Sequence, residues 1–90
     1  MNLPPLESGE VLATGDGAVL TLTLNRPDKL NALTGAMYRD LVNLLAFAGD
    51  SDEVRAVLIL GAGKSFSAGN DLADFLAAGE GTEGGAAPFI

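Results

Sequence analysis

The stretch best suited to chemistry is Phe66-Ser67-Ala68-Gly69-Asn70-Asp71-Leu72. It follows the apolar run Val57-Leu58-Ile59-Leu60 and the glycine turn Gly61-Ala62-Gly63. A strand that runs into a turn and then opens a helix leaves the helix's first N–H groups without intrahelical acceptors, at the positive end of the dipole. Such a corner holds phosphates, carboxylates or a developing oxyanion. The side chains are small or polar, so main chain is the instrument. On spacing alone, an ordinary strand-to-helix connection accounts for Gly69-Asn70-Asp71 equally well.

Side-chain chemistries are weaker. Gly61-Ala62-Gly63-Lys64-Ser65 invites a phosphate-loop reading, but that pattern needs a glycine five residues before Gly63, where Leu58 stands. Ser67 with Gly69 suggests a nucleophile elbow, but the earlier glycine is replaced by Ser65. Asp71 and Asp74, three apart on a short helix, could form an acid–base pair. The simpler account is that Asp71 caps that helix while Asp74 is solvated. Asn25 and Asn31 flank a proline turn and are read as turn-forming side chains.

Composition narrows the class. Of 90 residues, 48% are hydrophobic and 19% charged, too apolar for a disordered chain, so at most one small folded domain is expected. The net charge of -7 argues against nucleic acid and against an anionic membrane surface. With no cysteine and no histidine, the chain offers no disulfide, thiolate nucleophile, zinc-finger pattern or Ser-His-Asp triad, and no metal site is expected. No apolar run approaches a membrane span, and Met1 to Glu10 is acidic and proline-bearing, unlike a signal peptide. A cytoplasmic protein is expected.

The elements that must position the corner follow from periodicity. Met1 to Gly9 reads as a loose arm. Glu10 to Ala13 and Ala18 to Leu24 read as an antiparallel hairpin about Gly15-Asp16-Gly17. In the second strand Leu20, Leu22 and Leu24 alternate with threonines. Pro27 breaks the pattern, and Thr34 is a plausible N-cap. Met37, Leu41, Leu44, Leu45 and Ala48 make one helical stripe, with Arg39, Asp40 and Asn43 off it and Gly49 as the C′ residue. Ala56 to Leu60, without polar alternation, reads as a strand covered on both faces. Asp71 to Ala78 reads as a short helix. Phe89-Ile90 closes the sequence on apolar residues, which suggests truncation.

Two segments carry a resemblance. Leu24-Asn25-Arg26-Pro27-Asp28-Lys29-Leu30-Asn31-Ala32-Leu33 resembles the first signature of the crotonase superfamily, the enoyl-CoA hydratase/isomerase family. The stretch from Val57 to Leu72 resembles its second, and one amphipathic helix separates them. The resemblance covers roughly Val11 to Leu76. It implies an α/β fold, a crotonase-like spiral of ββα units of which the N-terminal portion (β-β-α-β-α) is present. Residues 1–10 would be an arm, 11–78 the N-terminal part of the domain, and 79–90 a flexible Gly/Glu-rich segment where the domain breaks off.

The resemblance also implies an activity. The family acts on acyl-CoA thioesters, holding the thioester oxygen and the enolate formed beside it on two backbone N–H groups. Carried over, the first donor is the N–H of Asn70. Lys29, Leu30 and Ala32 would lie along the CoA, with Ala68, Gly69, Asp71 and Leu72 completing the binding segment. No cofactor is implied beyond the CoA of the substrate, and a homo-trimer or paired trimer is expected. The wording Gly69-Asn70-Asp71-Leu72 resembles the isomerase branch most, although hydratases, which are lyases, share similar wording. The second oxyanion donor and the acid–base carboxylate have no match in this sequence, so the chain alone is not expected to turn over substrate. A truncated, non-catalytic binding or assembly module is the alternative.

Overall fold

The computed structural model describes residues 1–81. Strand β1 (Val11–Asp16) pairs antiparallel with β2 (Val19–Leu24). The hairpin turns through Gly17 and Ala18, with Gly17 at a φ of +59° that glycine adopts without strain. The turn thus falls one to two residues later than Gly15-Asp16-Gly17, because Gly15 and Asp16 pair with Leu20 and Val19. After a 3-10 turn (Pro27–Lys29), helix α1 (Gly35–Asp50) crosses over to β3 (Ala56–Gly61), which runs parallel to β2. A parallel pair requires such a crossover. Helix α2 (Leu72–Gly81) follows and continues past the expected end at Ala78. The remainder of the Gly/Glu-rich segment, 82–90, lies outside the described residues.

The threonine–leucine alternation of β2 explains the core. Leu20, Leu22 and Leu24 all point to one face and are fully buried with Val11, Met37 and Leu44. Thr34 caps α1 as expected, its Oγ1 accepting from the N–H of Met37 at 3.2 Å. The α1 stripe is shifted from the expectation, however. Leu45 is exposed, while Asp40 is 1% exposed and lies between Met37 and Leu44, three residues after one and four before the other. Its carboxylate accepts from the N–H groups of Glu7 and Ser8 at 2.8 and 3.0 Å and from the Ser8 hydroxyl at 2.5 Å.

Those bonds also correct the reading of the arm. Leu3 and Leu6 pack on the core, and Arg39 pairs with Glu7 at 2.8 Å. The arm is therefore clasped rather than loose. Gly49 does not end α1: the helix continues to Asp50, and Ser51 leaves it in an extended conformation.

The expected covering of β3 is not found. It is one edge of the sheet order β1-β2-β3, and Val57, Leu58, Ile59 and Leu60 are 36%, 48%, 38% and 43% exposed. Register places Val57 and Ile59 beside Leu20 and Leu22, the face on which α1 packs, and Leu58 and Leu60 on the other face. Among the described residues, α1 covers β1 and β2 and leaves β3 open.

Candidate functional site

The two signature segments lie side by side. The N–H of Ala68 donates to the carbonyl of Leu30 at 2.9 Å, and the Ser67 hydroxyl to the carbonyl of Asn31 at 2.8 Å. The N–H of Leu33 donates to the carbonyl of Gly69 at 2.7 Å, and Leu33's own carbonyl accepts from the N–H of Asp71 at 2.8 Å. Leu33 and Asn70 thus form a parallel bridge outside the main sheet.

That bridge orients Asn70. All peptide bonds of the described residues are trans, so the N–H of Asn70 points opposite to the carbonyl of Gly69 in the same peptide plane. Because the Gly69 carbonyl faces Leu33, the Asn70 N–H faces away from it. Gly69 has a φ of +94°, which only glycine adopts without strain, and its N–H donates to Ser67 Oγ at 3.1 Å. The Asn70 side chain is also engaged, its Oδ1 accepting from the Tyr38 hydroxyl on α1.

Two side chains bind this corner to the proline turn. Asn31 is fully buried, at a φ of +55°. Its Oδ1 accepts from the N–H of Arg26 at 2.8 Å, and its Nδ2 donates to the carbonyls of Ala62 and Ser65 at 2.8 and 2.9 Å. It is more than a turn-former: it connects the proline turn to the glycine turn after β3. Arg26 donates from one terminal nitrogen to Asp71 Oδ2 at 2.6 Å and to the Ala32 carbonyl at 3.0 Å. Its Nε lies 3.2 Å from Glu10.

Asp71 caps α2, as the sequence suggested, with its Oδ1 accepting from the N–H of Asp74 at 2.8 Å. That bond, together with Arg26, holds its carboxyl below the usual carboxylate range. Hydrogen bonding to Asp71 in turn raises Arg26. The expectation that Asp74 is solvated is corrected. Its Oδ2 accepts from the N–H of Gly35 at 2.7 Å, one of the N–H groups that the first turn of α1 leaves without an intrahelical acceptor. Both carboxylates are committed to helix ends, so neither is disposed for proton transfer.

The other residues singled out fall around the same corner. Lys29 is exposed at the end of the 3-10 turn, and its carbonyl accepts from the N–H of Ala32 at 3.0 Å. Leu30, at a φ of +51°, is half exposed, and Ala68 and Leu72 are exposed. Leu30, Ala32, Ala68, Gly69, Asn70 and Asp71 are thus brought to one place by main-chain pairing and by Arg26. Lys64 stands in the turn after β3, and the next helix begins only at Leu72, so the strand–loop–helix of a phosphate loop is not formed. Among the described residues, no group of three or more acidic side chains gathers to hold a metal ion, and no helix is long and apolar enough to cross a membrane.

Sequence reading missed the parts played by Arg26, Asn31 and Leu33. Arg26 and Asn31 had one available signal, as a charged and an amide residue five apart about a proline. Leu33 had none, since it acts through its main chain.

The fold and the corner define a class of protein. The enoyl-CoA hydratase/isomerase family model matches residues 19–89. The chain belongs to that family, within the crotonase superfamily, and its β-β-α-β-α order corresponds to the N-terminal portion of the crotonase fold. It is 43% identical over 77 residues to enoyl-CoA delta isomerase 2 of Rattus norvegicus, covering 86% of this chain and 19% of that protein. It is 41% identical over 64 residues to 1,2-epoxyphenylacetyl-CoA isomerase of Escherichia coli, covering 71% of this chain and 24% of that one. Among solved structures, a putative enoyl-CoA hydratase/carnithine racemase from Magnetospirillum magneticum superposes with a TM-score of 0.77 at 45% identity, over 92% of this chain and 33% of that chain. An enoyl-CoA hydratase from Mycobacterium marinum gives 0.72 at 43% identity, over 77% and 33%. The chain spans a fifth to a third of the length of these relatives.

Proposed function

We propose that this chain contributes the first oxyanion donor and part of the CoA-binding surface of a hydratase/isomerase-type site for acyl-CoA thioesters. The donor is the main-chain N–H of Asn70. Lys29, Leu30 and Ala32 lie along the CoA, and Ala68, Gly69, Asp71 and Leu72 form the facing segment. The observation that carries this reading is the Leu33–Gly69 hydrogen bond, which turns the Asn70 N–H away from Leu33. A preorganised donor of this kind stabilises a thioester enolate without reorganising, and losing one typically costs about 100- to 1000-fold in rate. Fatty-acid metabolism, a cytoplasmic location and a trimer or paired trimer belong to the same proposal. No cofactor is required besides the substrate's own CoA.

Asp71 and Asp74 are both committed to helix ends, so the informative readout for this chain is binding rather than turnover. An acyl-CoA labelled with carbon-13 at the thioester carbonyl should show a lower carbonyl stretching frequency when bound. Asn70→Ala keeps the N–H and should keep the shift, whereas Asn70→Pro removes the N–H and should lose it. A folded Asn70→Pro variant with the full shift overturns the assignment.

A second reading, a non-catalytic assembly module, is favoured by the exposed apolar strand Val57 to Leu60. Strong concentration-dependent association without any CoA binding would support it.

A further inference from the structure

We propose that Arg26 is a positioning residue for the Asn70 corner, acting through Asp71. The inference rests on the acyl-CoA reading above and adds to it the side chain that holds the donor in place.

The corner needs an outside anchor because its own backbone is soft. Gly69 has no side chain, its φ of +94° lies among the many conformations open to glycine, and nothing stands within 4 Å of where its Cβ would be. Glycine's own conformational freedom therefore leaves hydrogen bonds to set the direction of the peptide that carries the Asn70 N–H. On one side that peptide is held by the Gly69 carbonyl on Leu33, and the Asn70 side chain is held on α1 by the Tyr38 hydroxyl. On the other side the restraint reaches it through Asp71, the next residue. Asp71 is fixed at three points: its N–H on the Leu33 carbonyl, its Oδ1 on the N–H of Asp74, and its Oδ2 on Arg26. The first two tie it to a turn and to the end of a short helix. Arg26 joins it to the strand region, because that guanidinium also holds the Ala32 carbonyl and faces Glu10 next to β1.

The residue type matters. The Arg26 side chain is 16% exposed, and its contacts lie on three separate segments. A planar guanidinium presents several N–H groups in fixed directions, which one ammonium does not reproduce. A largely buried bond between charged groups is short and directional, and here it measures 2.6 Å.

The test separates anchoring of the donor from general stability. Wild-type chain, Arg26→Gln, Arg26→Lys, Asp71→Asn and the Arg26→Gln/Asp71→Asn double variant are titrated with butyryl-CoA and with S-butyl-CoA, the thioether that lacks the carbonyl. Asp71→Asn retains a good N-cap while losing the ion pair. One hydrogen bond to the carbonyl should give the wild type a preference of roughly threefold to tenfold for the thioester. Arg26→Gln and Asp71→Asn should each bring that ratio close to one and abolish the carbonyl frequency shift. Thioether affinity should stay within about twofold for Arg26→Gln, whose side chain is not part of the CoA-facing segment; for Asp71→Asn, which is part of it, the thioester-to-thioether ratio and the frequency shift are the readout. Arg26→Lys should restore part of the preference, and the double variant should be no worse than either single one.

A folded Arg26→Gln or Asp71→Asn variant with the wild-type ratio and shift overturns the positioning role while leaving the acyl-CoA reading intact. If Arg26→Gln does not fold, Asp71→Asn decides alone. A wild-type chain that binds neither ligand removes the acyl-CoA reading, and the role of Arg26 with it.

Discussion

Leu33 and Asn70 pair as an isolated parallel bridge, and through that bridge the first signature segment sets the direction of a main-chain donor in the second. Leu33 uses both its N–H and its carbonyl, on Gly69 and Asp71, so the peptide between Gly69 and Asn70 has its carbonyl facing Leu33 and its N–H pointing away from it. The amide hydrogens of Leu33 and Asp71 should therefore exchange slowly and lose protection together. Hydrogen exchange read by NMR checks this. Leu33→Pro, which removes the donor to Gly69, should abolish the protection of Asp71 while β1 and β2 stay protected.

Asn31 is the costliest polar residue to lose near the corner. Replacing it with alanine strands the Arg26 N–H and the carbonyls of Ala62 and Ser65, and leaves a non-glycine residue at positive φ. The expected loss is roughly 3 kcal/mol of unfolding free energy, in line with one to three for each buried group left without a partner. Urea denaturation monitored by circular dichroism measures it.

Gly61 ends β3 directly beneath the next turn. A Cβ at that position would meet the Phe66 carbonyl oxygen and stand 2.5 Å from both Phe66 Cα and Ser65 O, all of them backbone atoms. Gly61→Ala should therefore cost about 1 to 3 kcal/mol by displacing the Ser65–Phe66 backbone. It should also weaken the Asn31 bond to Ser65. Thermal unfolding, with the chemical shift of the Asn31 side-chain amide as local reporter, tests both statements.

Asp40 links stability to pH. Burial alone would raise its carboxyl, but the Ser8 hydroxyl, the N–H groups of Glu7 and Ser8 and the nearby Arg39 together bring it below its ordinary value of 3.8. Asp71 is lowered as well, by the N–H of Asp74 and by Arg26. For groups lowered on folding, the stabilisation is fully present above the unfolded value and disappears as pH falls through the folded one. Stability should hold from neutral pH down toward 5 and then drop as the solution is acidified past 4. Asp40→Asn should be less stable at pH 7 and show a shallower acid limb in urea melts between pH 5 and pH 2.

The open strand predicts an association behaviour. Leu58 is 48% exposed, on the face of β3 away from α1. An exposed apolar edge strand is a template for pairing with another chain. Leu58→Lys should change unfolding free energy by no more than about 0.5 kcal/mol, because the side chain loses little burial. It should also reduce concentration-dependent association in sedimentation velocity runs.

Periodicity and local propensity determined much of this protein without coordinates. The two-residue alternation of Leu20, Leu22 and Leu24 is a strand pattern wherever it occurs, and Thr34 caps a helix through a bond to its own neighbour Met37. The two signature segments were also legible, because residue types in fixed order survive without any three-dimensional information. Only the tertiary structure decided what each side chain meets. Asp40 looked peripheral because a helix stripe is judged by apolarity, yet it is buried by an arm more than thirty residues away in sequence. Asp74 looked solvated because its partner, the N–H of Gly35, lies at the start of a different helix. Val57 to Leu60 looked covered because an apolar run reports a demand for burial and carries no information about which element meets it. Arg26, Asn31 and Leu33 acquire their roles from contacts made across a long stretch of chain, and such contacts arise from packing rather than from any local preference.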